Sequence, residues 1–232
     1  MALTIGVAWC TFFKRSLWKH RGDLRDAYRA PSLFATKMQA AGHGIEFVVC
    51  DEPLEVADFD GTRRRLQDSV DLLYILSHGA FSGASYDALL HLADWSPGTA
   101  GIGQTRLRVS VFDTCELIKT AAIPNWQATW GAAKLGTSLR VLLGFDGTTV
   151  IDRGSAERGK AFAENLLAGS TFADAWITAV SRHVKSQYRR AVAIGVGDTV
   201  ADAQAVLNTA SLTALPKARA SAGAGLNFKE KY

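Results

Sequence analysis

Six short apolar runs constrain the fold of this chain more than any other feature. Most of them are continuous rather than alternating, which is the pattern of strands covered on both faces. Helical signals lie between the runs, so the sequence predicts an α/β fold: a three-layer sandwich in which a mostly parallel six-stranded sheet carries helices on both faces. The runs are Leu3–Cys10, Ile45–Cys50, Leu72–Ser77, Leu107–Phe112, Leu139–Phe145 and Ala191–Val196.

Capping residues mark the helices between these strands. Ser32 and Thr171 are predicted N-caps, and Asp174 follows Thr171 at capping-box spacing. Right-handed crossovers between parallel strands then place all strand-to-helix loops at one edge of the sheet. The other predicted helices begin at Asp60 or span Trp126–Leu135 and Ala156–Leu167.

Length and composition predict one domain over residues 1–210. With 232 residues, 48% of them hydrophobic, the chain can bury a substantial core. Residues 211–232 are rich in Ala, Gly, Ser and Lys, and we expect a flexible tail there, although Leu226 and Phe228 are able to dock.

Charge and hydropathy exclude two classes of partner. The net charge of +4 is too small to indicate nucleic-acid binding. No stretch approaches the roughly 18 uncharged apolar residues of a membrane span. We therefore expect neither nucleic acid nor membrane as a partner.

The three cysteines and the first residues indicate a cytoplasmic location. Three cysteines in 232 residues do not form a disulfide framework and are typical of a reducing compartment. The apolar start is soon followed by Lys14 and Arg15, and we interpret it as a first buried strand rather than a signal peptide.

Two of the apolar runs end at chemically capable residues. Leu72–Ser77 is followed by His78 and Gly79, and Cys115 comes three positions after the end of Leu107–Phe112. If these runs are neighbouring parallel strands, the imidazole and the thiol emerge at the same edge and form a nucleophile–base pair. The structural alternative stays open, because a buried cysteine is usually inert and a single histidine usually has no catalytic role.

These two motifs, in this order and at this distance, resemble the caspase–haemoglobinase fold of cysteine peptidases. The segment Phe112–Cys115 is closest to metacaspase-type and bacterial caspase-like patterns, and the resemblance covers the layout from about Thr4 to Val196. Glu116 and Leu117 depart from the family, in which a small residue and glycine often follow the cysteine.

The resemblance implies a role for five residues. His78 would be the general acid–base and Cys115 the nucleophile of a cysteine endopeptidase that works through a thioester acyl-enzyme. Main-chain N–H groups of Gly79 and Cys115 would form the oxyanion hole. Asp113, two residues before the nucleophile, would bind the substrate side chain and favour cleavage after Arg or Lys, and Asp146 would add a second carboxylate. The alternative that Asp113 only caps the following turn stays open.

We expect no cofactor and no metal. Cys10, Cys50 and His78 are a conceivable ligand set, but no CxxC or HxxxH spacing supports it. The partners expected are a protein or peptide substrate and a regulatory protein. The chain is expected to be a monomer or a homodimer, with Ala191–Val196 as a sheet edge open to a second copy.

Two other functions compete with the peptidase. The first is a catalytically silent caspase-like module that acts through protein contacts. The second is a flavodoxin-like nucleotide or regulatory domain with its phosphate loop after Cys10. The segment Thr11–Arg15 argues against this second function because it has bulky aromatic residues and no glycine.

Overall fold

A seven-stranded sheet forms the centre of the structure. The computed structural model describes residues 2–12, 23–51, 66–82, 85–89, 94–95, 101–118, 135–185, 190–220 and 225–231. The strands of the large sheet are β1 (Thr4–Trp9), β2 (Gly44–Cys50), β3 (Leu72–Leu76), β7 (Val109–Asp113), β8 (Val141–Phe145), β9 (Ala191–Gly197) and β10 (Gly225–Lys231). A separate three-stranded sheet contains β4 (His78–Ser82), β5 (Ser85–Leu89) and β6 (Asp94–Trp95).

The order of the large sheet is β10-β9-β8-β7-β3-β1-β2. The five strands from β8 to β2 are mutually parallel, β9 is antiparallel to β8, and β10 is antiparallel to β9. The predicted α/β class with a mostly parallel sheet is therefore confirmed, and all six apolar runs form strands. In such sheets the loops at the carboxyl ends of the strands build the ligand site.

Four α-helices lie in the described residues: α1 (Arg29–Ala40), α2 (Arg153–Leu167), α3 (Phe172–His183) and α4 (Val200–Thr209). Thr171 caps α3 as predicted, because its Oγ1 accepts the N–H of Asp174 at 3.1 Å. The predicted cap at Ser32 is wrong: α1 begins at Arg29, since Pro31 is tolerated in a first turn whose N–H groups have no helical acceptor. None of the described helices has both the length and the apolar composition needed to cross a bilayer, and the longest has 15 residues.

Aromatic packing fixes three of these helices on one face of the sheet. Phe34 of α1, Phe162 of α2 and Trp176 of α3 surround Tyr74 of β3, with ring centroids 5.2 to 6.5 Å from that of the tyrosine. A Cβ atom on Gly159 would lie 2.0 Å from the carbonyl oxygen of Ala30, so the backbones of α1 and α2 are in direct contact. This close approach requires glycine on α2 next to the site described below.

The second face of the sheet is also buried. Its core includes one or two residues from each of the four strands β3, β7, β8 and β9, namely Leu73, Ile75, Phe112, Leu142 and Ile194. The middle layer of the predicted sandwich is therefore covered on both sides. The helix predicted from Asp60 lies outside the described residues up to position 65, and the described part that follows begins with a short 3-10 helix at Leu66–Asp68. The helix predicted over Trp126–Leu135 lies outside the described residues except for Leu135.

Two predictions about the chain after residue 190 are wrong. Ala191–Val196 is not a sheet edge, because β9 lies between β8 and β10. Residues 211–232 are not a loose tail throughout: Gly225–Lys231 forms β10, and Arg219 is buried and donates to the carbonyls of Leu135 and Gly136. These contacts go largely to main-chain groups, which leave no trace in apolar periodicity.

Candidate active site

The ends of β3 and β7 bring His78 and Cys115 to one edge of the sheet. The two strands are parallel neighbours, and Leu76 is the register partner of Asp113. His78 and Cys115 each follow two residues after these partners, so they occupy equivalent positions past the strand ends. Both side chains line the same cavity. The structure therefore places the two residues at the same edge of the sheet and around the same cavity.

The cavity that they line is small and almost uncharged. Its volume is about 210 Å³, below the roughly 300 to 1,000 Å³ of typical small-molecule sites. It is contributed by the loops after β1, β3, β7 and β8, and among its described lining residues His78 and Cys115 have the ionisable side chains. The lining residues are Leu24, Ser77, His78, Cys115, Thr148, Thr149 and Ile151.

The sulfur of Cys115 contacts the main chain of Thr149. Sγ lies 3.3 Å from the Thr149 nitrogen, whose N–H it accepts, and 3.3 Å from the Thr149 carbonyl oxygen, to which the thiol donates. The N–H group stabilises a thiolate and the carbonyl stabilises the neutral thiol. Ionisation of the thiol therefore requires a base that takes the proton, and His78 is a neighbouring residue of the same cavity.

The backbone next to Cys115 is strained. Glu116 has φ of 52°, the left-handed region that non-glycine residues seldom adopt. Its N–H donates to the carbonyl of Gly147 at 3.0 Å, which ties the loop after β7 to the loop after β8. Strain of this kind is concentrated at functional sites, where the surrounding structure maintains it.

Gly79 lies against the peptide of Cys115. A Cβ atom at this position would be 2.2 Å from the Cys115 carbonyl oxygen and 2.9 Å from Cβ of Thr114. Only glycine permits this approach. The main chains of the two residues expected to form the oxyanion hole are thus in contact beside the cavity.

Asp113 does not line the cavity, contrary to the prediction. Its side chain is fully buried and forms a bidentate ion pair with Arg158 of α2, which is also fully buried. The hydroxyl of Tyr74 donates to the same carboxylate at 2.7 Å. Because its acceptor positions face these internal donors, Asp113 is not available to a basic substrate side chain.

Asp146 also has an internal partner. It is mostly buried, its N–H donates to the Arg190 carbonyl at 2.9 Å, and its carboxylate lies 3.8 Å from the Arg190 guanidinium. It is not among the residues that line the cavity. The pair of carboxylates from which basic specificity was predicted is therefore engaged by the protein's own arginines.

Cys10 and Cys50 do not share the site. Cys50 is the register partner of Trp9, so these two side chains lie on the same face of the sheet. Cys10 follows Trp9 in the chain and therefore lies on the opposite face. Burial, with the charge of Asp51 beside them, raises the pKa of both thiols above the usual range. This geometry separates two members of the ligand set considered from the sequence.

Sequence reasoning missed Thr149, Arg158 and Tyr74. Thr149 acts through its main chain, and Arg158 is 45 residues from Asp113 in the chain. The available signal was the apolar run that ends at Phe145, because it places the following loop at the same edge as His78 and Cys115.

Comparison with known proteins identifies the family. One solved structure that resembles the chain is the Streptococcus pneumonia TIGR4 flavodoxin, at 11% identity over 72% of this chain and 99% of that one. Its TM-score of 0.35 is too low to carry an argument. No curated protein matches. A family model described as "Domain of unknown function (DUF6345)" matches residues 14–210, most of the sequence, and the chain therefore belongs to the DUF6345 family.

Proposed function

We propose that this protein is a cysteine peptidase with Cys115 as nucleophile and His78 as general acid–base. The observation that carries the proposal is the shared cavity at the carboxyl edge of the sheet, where both side chains stand at equivalent positions after neighbouring parallel strands. A thiol and an imidazole in this relation are the minimum needed for nucleophilic acyl transfer.

The reaction follows from the groups at the cavity. His78 takes the proton of Cys115, and the sulfur attacks the carbonyl carbon of a peptide bond. His78 then protonates the leaving amine as the carbon–nitrogen bond breaks, which leaves the acyl group on sulfur as a thioester. Water, deprotonated by His78, hydrolyses the thioester and restores the thiol. Main-chain N–H groups of Gly79 and Cys115 are the proposed donors to the oxyanion, and each donor of this kind lowers the barrier by about 3 kcal/mol.

The substrate class follows from the lining of the cavity. Leu24, Ser77, Thr149 and Ile151 provide apolar and hydroxyl surface, and neither Asp113 nor Asp146 is free for a cation. A guanidinium or ammonium group would be desolvated there without a carboxylate partner, which is costly. We therefore infer a small uncharged side chain before the scissile bond, instead of the Arg or Lys that the resemblance implied.

Incubation with a peptide library, analysed by mass spectrometry, tests this function. We expect cleavage after small uncharged residues by the wild type and by Cys50→Ala, the matched control, and none by Cys115→Ala. If the wild type and Cys115→Ala give the same products, the peptidase proposal is wrong and the catalytically silent interaction module takes its place. Preferred cleavage after Arg or Lys would refute the inference about the cavity while leaving the nucleophile in place.

The setting proposed for this activity is the cytoplasm. The three cysteines are free thiols, and a nucleophilic cysteine retains its activity in a reducing compartment. A protein or peptide is the proposed substrate, and a regulatory protein partner is compatible with a site assembled from four loops.

A further inference from the structure

A buried polar network lies directly beneath the proposed nucleophile. The Asp113 carboxylate accepts hydrogen bonds from Nε of Arg158 at 2.6 Å, from Nη2 of the same arginine and from the Tyr74 hydroxyl. The network joins α2 to β7 and β3 in the core, and none of the three side chains has measurable solvent exposure.

The protonation states of Arg158 and Tyr74 are firmly held. Burial disfavours the charged form of Arg158, but the Asp113 carboxylate more than offsets this and raises the pKa of the guanidinium. Burial, together with the charge of Asp113, raises the pKa of Tyr74, so its hydroxyl stays protonated and donates. The Arg158 guanidinium therefore keeps its charge, and the Tyr74 hydroxyl its proton, at all moderate pH values.

Stability alone does not explain such a pair. Removing two charges from water is costly, and replacing a buried ion pair with apolar residues of similar volume is often neutral or stabilising. A buried pair is better explained by the geometry that it imposes, because a guanidinium presents its donors in a rigid plane.

The geometry imposed here concerns Cys115. Arg158 also donates Nη1 to the carbonyl of Val150 at 3.2 Å. Asp113 lies two residues before Cys115, and Val150 follows Thr149, whose N–H and carbonyl contact Sγ at 3.3 Å. One guanidinium thus connects the segment that carries the sulfur to the segment that contacts it.

We propose that Arg158 is a positioning residue that, through Asp113 and the Val150 carbonyl, holds the Thr149 N–H against the sulfur of Cys115. This inference rests on the proposed function only in taking Cys115 as the nucleophile. Arg158 does not touch the substrate. Its role is to set the distance between two loops that meet at the sulfur.

The test replaces the pair and compares it with a similar pair elsewhere. Asp113→Leu/Arg158→Met removes both charges and the bridge to Val150. The control is Asp202→Leu/Arg140→Met, because Arg140 is likewise buried, contacts Asp202 through Nη2 at 3.0 and 2.9 Å, and donates Nε to a main-chain carbonyl, but at the opposite edge of the sheet.

Two readouts decide the outcome. The first is the pH profile of iodoacetamide labelling at Cys115, where we expect an approximately tenfold lower rate at pH 7, the usual effect of losing a hydrogen bond to a charged group. The second is amide exchange over residues 148–151, which should become faster. The control should change neither. A folded Asp113→Leu/Arg158→Met protein with the wild-type profile and wild-type exchange would overturn the proposal.

A variant that fails to fold does not leave the question open. Arg158→Lys keeps the positive charge but cannot hold Asp113 and the Val150 carbonyl together, so the same decrease in labelling and increase in exchange are expected, with Arg140→Lys as control. Unchanged values in Arg158→Lys would overturn the proposal. If wild-type Cys115 itself is no more reactive than an ordinary thiol, the proposed function fails, and the exchange measurement alone decides the positioning role.

Discussion

Gly79→Ala tests the contact on which the geometry of the site depends. The new Cβ would lie 2.2 Å from the Cys115 carbonyl oxygen, about 1.2 Å short of an ordinary contact distance near 3.4 Å. The obstructing atom belongs to the backbone, so no rotamer change removes the clash. Either the His78 strand or the Cys115 turn has to move by about 1 Å, and a displacement of that size costs up to about 100-fold in rate.

The same substitution has a bounded effect on folding. Overpacking of this kind costs about 1–3 kcal/mol, which urea unfolding measures. We expect Gly79→Ala to remain folded, to lose this amount of unfolding free energy, and to label Cys115 with iodoacetamide at least about tenfold more slowly at pH 7. Gly44→Ala is the matched control, because its new Cβ would meet nothing closer than the Leu3 carbonyl at 3.8 Å. Wild-type stability and labelling in Gly79→Ala would refute the close approach and the site built on it.

Three further predictions test the electrostatics and the fold. Burial and the charge of Asp51 raise the pKa values of Cys10 and Cys50. Both thiols should therefore react with iodoacetamide more slowly than Cys115 at pH 7, and faster as the pH increases. Peptide mapping that shows Cys50 reacting first would contradict this prediction. Asp71→Asn should lower the unfolding free energy by about 1–2 kcal/mol at pH 7, because the carboxylate accepts from Thr4 and Arg106. Burial opposes the charge of Asp71, but these hydrogen bonds lower its pKa below the unfolded value near 3.9. The stability difference between the wild type and Asp71→Asn should therefore be present above pH 4 and disappear as the pH falls further. A stability difference that persists at pH 2 would contradict this prediction. Thr171→Ala should cost about 1 kcal/mol through loss of the α3 cap, and unchanged urea unfolding would show that the cap contributes nothing.

The central strands β3, β7 and β8 were predictable because each of them is buried on both faces. A continuous apolar run such as Leu72–Leu76 indicates such a strand, and the order of the runs with helices between them predicts parallel neighbours. This was enough to bring His78 and Cys115 to one edge. The cap at Thr171 was equally local, since residue and partner are three positions apart.

What the sequence could not predict depends on contacts between distant residues. β10 contains alternating and charged residues, and pairing with β9 gives it its structure. The carboxylate of Asp113 faces inward because Arg158 and Tyr74, which belong to other elements, donate hydrogen bonds to it. No local sequence pattern around Asp113 predicts those partners. A resemblance carries over the type of residue at a position, but not the environment in which its side chain is buried.

The pH profile of alkylation at Cys115 in the wild type and in His78→Ala tests the central claim most directly. If the two side chains form a working pair, the wild type reacts rapidly near neutral pH, and His78→Ala shifts reactivity toward the ordinary thiol pKa of about 8.5. His43→Ala is the control, since His43 accepts the Leu3 N–H at the opposite edge of the sheet, and it should behave as the wild type does. Identical profiles for the wild type and His78→Ala, both with a midpoint at the ordinary thiol value, would contradict the claim.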